Sequence, residues 1–377
     1  MLRKFFYLMC CLALLCGCAQ VKKTDGDQLY LLIGTYSDGT TSGISVYDFN
    51  TQTGKYTWTS DVKNVVNPSY LIVSQDEKNV YSVNETKEGG VSAFKFDKPT
   101  GTLSFINAQD AYGNSPCYIN VDSEKRFIVT ANYGGGNLSV FPLNQDGSIK
   151  PISQNINMNM QNTTDSAPPS RIHTVVFMPD GKSLLATDLG KDSIYRFAIE
   201  PDAADTFLRQ MPERSIALEK GSGPRHLAFH PSGNYLYCIN ELSGTITVFS
   251  HPDDNPVTIQ TVVSDTMQTT GRRGSADIHL TSDGRWLYAS NRAKTNDIAI
   301  FSVDPQTGLL TAAGHQPTGF HPRNFLIAPN DKYLLCANQN ANNIQIFEID
   351  AATGLLRDTN NDIALDKPVC LKWVQKK

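Results

Sequence analysis

One short phrase returns seven times along this chain, and a fixed-period repeat constrains the fold more than any other feature the sequence has. The fullest copy runs Pro224-Arg225-His226-Leu227-Ala228-Phe229-His230-Pro231-Ser232-Gly233-Asn234-Tyr235-Leu236-Tyr237-Cys238-Ile239-Asn240-Glu241. With Pro224 as origin, equivalent origins fall at Pro68, Pro116, Ile172, Ser275, Pro322 and Pro368, at intervals of 48, 56, 52, 51, 47 and 46 residues. Each copy opens on an apolar run such as Leu227-Ala228-Phe229. A polar turn follows (Pro231-Ser232-Gly233, Pro179-Asp180-Gly181 or Ser282-Asp283-Gly284), then a second apolar run such as Tyr235 to Ile239. This is the signature of a β-hairpin, with glycine supplying the positive φ of the turn. A third strand follows, as in Thr245 to Phe249 or Ile298 to Phe301, and a more polar fourth leads to the next origin. Four antiparallel strands per repeat, seven times over, predict an all-β fold, a seven-bladed β-propeller, ahead of a β-sandwich or a solenoid.

The ends of the chain fit a closed ring. Pro368 starts one strand, Val369 to Val374, and the sequence then stops. Leu29 to Ile33 with Gly34-Thr35-Tyr36 resembles the second strand of a repeat, so residues 29–67 are expected to supply the strands that Pro368 lacks. The seventh blade is then stitched from both termini, which removes free sheet edges, and residues 29–377 form one domain. Met1 to Gln20 stand outside it. Arg3 and Lys4 precede an apolar run from Phe5 to Leu15 that is short for a membrane span. The run ends in Leu15-Cys16-Gly17-Cys18, which resembles the lipobox of bacterial lipoprotein signal peptides. The reading is a signal peptide over 1–18, lipidation at Cys18, a polar tether over 19–28, and an exported propeller anchored to a bacterial membrane by its lipid.

Four further cysteines, Cys117, Cys238, Cys336 and Cys370, fall on first or second blade strands in blades that do not bring them together, so free buried thiols are expected. With 33 basic and 37 acidic residues and no long basic run, nucleic acid is a poor partner. No CxxC pair, HExxH or EF-hand pattern is present, so neither a metal site nor a cofactor is indicated. A propeller needs no partner to close, and a monomer is expected.

In a propeller the first strand of each blade lines the central channel, and its start lies beside the end of the second. Residues one and seventeen after each origin should therefore crowd one mouth of the channel. The first set reads Ser69, Cys117, His173, Arg225, Ala276, Arg323 and Val369. The second reads Glu85, Tyr133, Leu189, Glu241, Arg292 and Gln339, with Tyr36 in the spliced blade. By contrast, the position sixteen after each origin is uniform: Asn84, Asn132, Asp188, Asn240, Asn291 and Asn338. That uniform series reads as structural, with side chains satisfying backbone groups where the strand turns. The irregular charged set reads as functional rather than as a solvated rim of salt bridges. Arginines hold carboxylate or phosphate in bidentate geometry and stabilise a developing oxyanion. A glutamate can activate water and a histidine can relay its proton. No Gly-x-Ser-x-Gly elbow is visible, so water is the expected attacking group on a small anionic substrate. Tyr133-Gly134-Gly135-Gly136 resembles a phosphate loop but is followed by a strand, and reads as a tight blade turn whose N–H groups could still face the mouth. Arg272-Arg273 reads as a surface charge pair, with recruitment of anionic substrate as the alternative, and Ser153 to Ser170 as a loop or lid on the same face.

These residues resemble the lactonase-type seven-bladed propellers, the family of the propeller-form 6-phosphogluconolactonases and the fungal carboxymuconate cyclase. The resemblance lies in Gly34-Thr35-Tyr36, Asn67-Pro68-Ser69-Tyr70-Leu71, Ala131-Asn132-Tyr133-Gly134-Gly135-Gly136 and Asp188-Leu189-Gly190. It continues in Gly223-Pro224-Arg225-His226, Ile239-Asn240-Glu241, Ala276-Asp277-Ile278-His279-Leu280, Ser290-Asn291-Arg292 and Pro322-Arg323-Asn324-Phe325. It implies hydrolysis of a small anionic sugar lactone of the 6-phosphogluconolactone type, with His173, Arg225, Glu241 and Arg292 as catalytic residues. Arg323, Glu85, Tyr133 and Gln339 join them as substrate-binding residues, with Glu85 a second candidate base. Where the family often has Pro-His-x-His, this chain reads Pro169-Ser170-Arg171-Ile172-His173, which leaves the substrate open. A non-phosphorylated aldonolactone or uronolactone suits an exported protein better. A carboxymuconate cyclase-type reaction and a non-catalytic surface binding propeller are the alternatives.

Overall fold

The computed structural model describes residues 27–161, 168–200, 206–267 and 273–376. Cys18, the apolar leader and most of the tether lie outside the described residues. Seven antiparallel sheets follow one another around the molecule. In the fourth blade the strands are Pro224–Phe229, Tyr235–Asn240, Thr245–Ser250 and Val257–Val263, hydrogen-bonded in sequence order from the inside outward. The third and sixth blades each add a short extra strand, Ile216–Ala217 and Ile363–Ala364, to the outside. The seventh blade closes as expected: the C-terminal strand Pro368–Gln375 is its inner strand and pairs with Gln28–Thr35, which pairs in turn with Ile44–Asn50. The stretch after Ser153 is not wholly a loop, because Gln154–Asn157 is the outer strand of the second blade, paired with Asn137–Pro142. Residues 162–167 of the expected lid lie outside the described residues.

Burial explains why periodicity revealed the strands. The second and third strands of each blade are sandwiched between neighbouring sheets and are almost wholly buried, whereas the outer strand Val257–Val263 is mostly exposed. The core is therefore a set of inter-blade layers, such as Val80, Phe94, Ile128 and Phe141 between the first two blades. Facing sheets pack their apolar sides in this way wherever strands alternate in-facing and out-facing residues. The turn between the first and second strands keeps one conformation in the first six blades. Gly181, Gly233 and Gly284 have φ near +70°, and Glu77, Lys125 and Asp331 take the same left-handed turn without glycine. Among the described residues the cysteines, Cys117, Cys238, Cys336 and Cys370, are all free and buried.

A second recurring device locks several blades to the next. The residue eleven after the origin, at the start of the second strand, reaches a turn of the following blade. Tyr235 donates to the Gln306 carbonyl at 2.5 Å, Trp286 to Ala351 at 3.4 Å, and Tyr30 of the spliced blade to Lys98 at 2.9 Å. Each aromatic ring lies against a glycine in that turn. A Cβ added at Gly308 would come within 2.4 Å of the Tyr235 ring, and one at Gly354 within 2.3 Å of Trp286.

Candidate active site at the channel mouth

The first residue after each origin reaches the channel through a β-bulge. In the fourth blade Pro224 pairs with Asn240 and His226 with Ile239, so Arg225 has no partner across the ladder. The same slip leaves Cys117, His173 and Arg323 as extra residues in their blades. A bulge bends the strand and re-aims the extra side chain, which is why such irregularities recur beside functional sites. The uniform Asn series brackets this bulge. Asn240 Nδ2 donates to Thr245 and Thr247 hydroxyls at 3.0 and 2.9 Å, and Asn132 Nδ2 to Ser139 at 2.9 Å. Its partners are thus mostly side chains of the third strand rather than the backbone groups expected, although Asp188 does accept from the N–H groups of Arg171, Gly190 and Lys191.

The charged residues converge as two linked groups. Glu241 Oε2 accepts from Arg225 Nε and from Arg292 Nη2, both at 3.0 Å. All three side chains are largely buried, at 2%, 15% and 8% exposure for Arg225, Glu241 and Arg292. Arg225 Nη1 also donates to the Ala276 carbonyl at 2.5 Å, and Arg292 Nε to the Gly274 carbonyl at 3.2 Å. Across the mouth, Glu85 Oε2 accepts from the Tyr36 hydroxyl at 2.8 Å and from Ser69, and lies 3.5 Å from Arg323 Nη2. The Arg323 guanidinium sits over the Tyr36 ring, 5.2 Å from its centroid. Burial and the neighbouring Arg225 guanidinium pull Arg292 downward against the pull of Glu241. Burial also disfavours charged Arg323, but Tyr36 and Glu85 outweigh it and hold the guanidinium charge.

His173 is buried, and its Nδ1 has no hydrogen-bond partner among the described residues. Burial first, then the Arg225 guanidinium, hold it well below the ordinary 6.5, so the imidazole is neutral at physiological pH. Tyr133 stands edge-on to it at 5.8 Å and supports Arg171, whose guanidinium lies 5.4 Å from the Tyr133 centroid and donates to the Gly134 carbonyl at 3.2 Å. Tyr133 is thus a wall of the site rather than a hydrogen-bonding member. Gln339 joins through its backbone, donating to the His321 carbonyl at 3.0 Å, while its buried Oε1 has no partner among the described residues. The Tyr133-Gly134-Gly135-Gly136 segment is a blade turn: the Gly135 and Gly136 amides are taken by Asn114 and Asn132 carbonyls at 3.1 and 2.8 Å. Arg273 is half-buried, with Nη1 3.9 Å from the wholly buried Asp265, and Arg272 is outside the described residues.

Sequence reasoning passed over His321, which faces Arg292 Nη1 at 3.2 Å and is held at about 4 by burial and that guanidinium. It also passed over the position two after each origin. That position forms a second polar layer below the mouth: Tyr70, Tyr118, Thr174, His226, Asp277, Asn324 and Cys370. Tyr70 and Tyr118 stack at 3.9 Å, Tyr118 meets His226 at 5.4 Å, and His226 Nδ1 lies 2.7 Å from Asp277 Oδ1. The signal was available, since six of these seven residues can hydrogen-bond well in what is otherwise an apolar inner strand.

The family described as a lactonase, seven-bladed β-propeller, matches residues 30–373. The 6-phosphogluconolactonase of Formosa agariphila is 37% identical over 348 residues, 89% of this chain and 97% of that protein. The structure of a candidate 6-phosphogluconolactonase from Bacteroides fragilis superposes with a TM-score of 0.86 at 48% identity, covering 92% of this chain and 98% of the other. The periplasmic gluconolactonase of Pseudomonas aeruginosa gives a TM-score of 0.87 at 30% identity, with 93% and 100% covered. The chain belongs to the lactonase family of seven-bladed β-propellers, a family of lactone-hydrolysing esterases.

Proposed function

We propose that the channel mouth hydrolyses a small sugar lactone by direct attack of water. The observation that carries this reading is the convergence of Arg225 and Arg292 on one oxygen of Glu241, 3.0 Å from each. A candidate base and two fixed cations thereby occupy one small, largely dry volume, where electrostatic interactions are strongest. Glu241 takes a proton from water as its oxygen bonds to the lactone carbonyl carbon. Arg225 and Arg292 hold the carbonyl oxygen as it becomes an oxyanion. The oxyanion collapses, the ring C–O bond breaks, and the leaving alkoxide takes a proton through His173. That proton is replaced by the one Glu241 removed from water, and the product is the open-chain acid. Arg323, held by Tyr36 and Glu85, donates to hydroxyl groups at the far end of the sugar.

Two lactones test the reading and its substrate together. Protein starting after Gln28 is assayed for acid release at neutral pH from fresh 6-phosphogluconolactone and from gluconolactone, each against spontaneous hydrolysis. Catalysis should fall by about 100-fold or more in Glu241→Gln and in Arg225→Ala. Rates equal to background on both lactones would overturn the hydrolase reading. We further infer that the true substrate lacks phosphate, because the leader ending in Cys18 implies export; preference for gluconolactone is the expected result. Export is checked separately: Cys18→Ser should shift the full chain from the membrane fraction to the soluble fraction.

A further inference from the structure

Arg225 is held in an unusual way for a residue that must meet a substrate. Its Nε is taken by Glu241, and the two hydrogens of Nη1 go to the Ala276 carbonyl and to His226 Nε2, the latter at 3.2 Å. A guanidinium can only donate, so His226 Nε2 accepts and the imidazole is neutral with its proton on Nδ1. That proton is donated to Asp277 Oδ1 at 2.7 Å. Asp277 is in turn fixed by four further donors, two from its own strand and two from the inner strand of the sixth blade. Its Oδ2 accepts from Asn324 Nδ2, from the Phe325 N–H at 3.2 Å and from His279 Nε2 at 3.1 Å, while Oδ1 also takes the Ile278 N–H at 3.0 Å. Burial alone would raise this carboxyl, but His279, His226 and the other donors hold it well below the ordinary range. Burial and Arg225 likewise keep His226 down at about 4, which preserves its acceptor nitrogen.

We propose that His226, oriented by Asp277, is a positioning residue: it fixes the plane of the Arg225 guanidinium so that Nη2 is left to meet the lactone carbonyl oxygen. Nη2 has no hydrogen bond among the described residues, and the Nη1 and Nε anchors leave it no freedom to turn away. The arrangement belongs to the second polar layer and lies outside the four residues that perform the proposed chemistry. It rests on the lactonase reading for its kinetic consequence but not for its geometry.

The test compares His226→Leu, which removes the acceptor, with His226→Gln, whose amide oxygen can still accept from Arg225. Misplacing one transition-state donor costs about 100-fold. His226→Leu should therefore lower kcat and kcat/KM together by about 10- to 100-fold with KM little changed, and His226→Gln should recover most of it. In an Arg225→Ala background the His226→Leu change should add nothing, since the donor it positions is gone. Unchanged kcat in folded His226→Leu, equal loss in the Gln variant, or full additivity with Arg225→Ala would each overturn the assignment. A crystal structure of His226→Leu separates this inference from the lactonase reading: the Arg225 guanidinium should turn about its Glu241 contact and carry Nη2 away from its position at the mouth, whether or not any tested lactone is turned over, and an unmoved guanidinium refutes the positioning role.

Discussion

Glu241 carries two burdens that a substitution can separate. It is the candidate base, and it is also the counter-ion that lets Arg225 and Arg292 share a nearly dry pocket. Removing one partner of a buried ion pair leaves charge without compensation and costs about 3–5 kcal/mol. Glu241→Ala should therefore destabilise by about that amount in urea unfolding, whereas Glu241→Gln keeps an acceptor oxygen and should lose less. Both should be inactive. An Ala variant as stable as the parent would show that the two guanidinium groups are solvated in a way their burial does not suggest. At this scale much was legible in the sequence. Arg225, Glu241, Arg292, His173, Arg323 and Glu85 were all picked by offset from the repeat origin, and the structure brings all six to one mouth. The state of His173 was not legible, because neutrality follows from burial beside the Arg225 guanidinium, which belongs to another blade.

Strands and hairpins were read correctly because alternation and turn chemistry are local properties that six neighbouring copies repeat. Their irregularities were not. Nothing in Pro224-Arg225-His226 announces a bulge, yet the bulge decides that Arg225 faces the mouth while His226 lines the channel beneath it. The contacts between blades were equally hidden, since the aromatic residue and its glycine lie about 70 positions apart, as in Tyr235 and Gly308. These contacts make a prediction. Gly308 has φ +70° and its Cα leaves no room for a methyl group against Tyr235. Gly308→Ala should cost about 1–3 kcal/mol, from left-handed strain and overpacking together, measured as a lower urea midpoint with kcat unchanged. A midpoint equal to the parent's would mean that the turn moves freely and that the blades are not locked there.

Closure of the ring is the largest-scale feature, and it can be broken. A chain ending at Lys367 lacks Pro368–Gln375 and exposes the edge of Gln28–Thr35, whose Leu29, Leu31 and Ile33 are buried in the intact molecule. Such an edge invites aggregation, so the truncated chain should be insoluble or sediment as aggregates; a soluble chain with cooperative unfolding would show that closure is dispensable. Acid should weaken the whole molecule as well. His173, His226 and His321 are all held below the ordinary 6.5, first by burial and then by guanidinium groups, with His226 and His321 at about 4. The unfolded chain binds protons below pH 6.5 that the folded chain refuses, so stability is full above that value and falls as pH drops toward 4. Urea midpoints at pH 8, 6.5 and 5 check this: the first two should lie close together and the third clearly lower, whereas a flat series would mean that these imidazoles titrate normally.

The sequence by itself determined the period, the four-strand unit, the number of blades and the joining of the two ends. Each follows from apolar alternation and turn residues, which act over a few neighbouring positions and are repeated often enough to be unmistakable. It also marked the mouth, because offset from the origin is a geometric coordinate in a closed ring. Only the tertiary structure decided which side chains pair. Arg225 and Arg292 meet on one oxygen of Glu241, and Asp277 fixes His226 beneath them, through contacts between neighbouring blades. Charge state and hydrogen-bond direction depend on burial and on neighbours distant in the chain, and those exist only once the ring has closed.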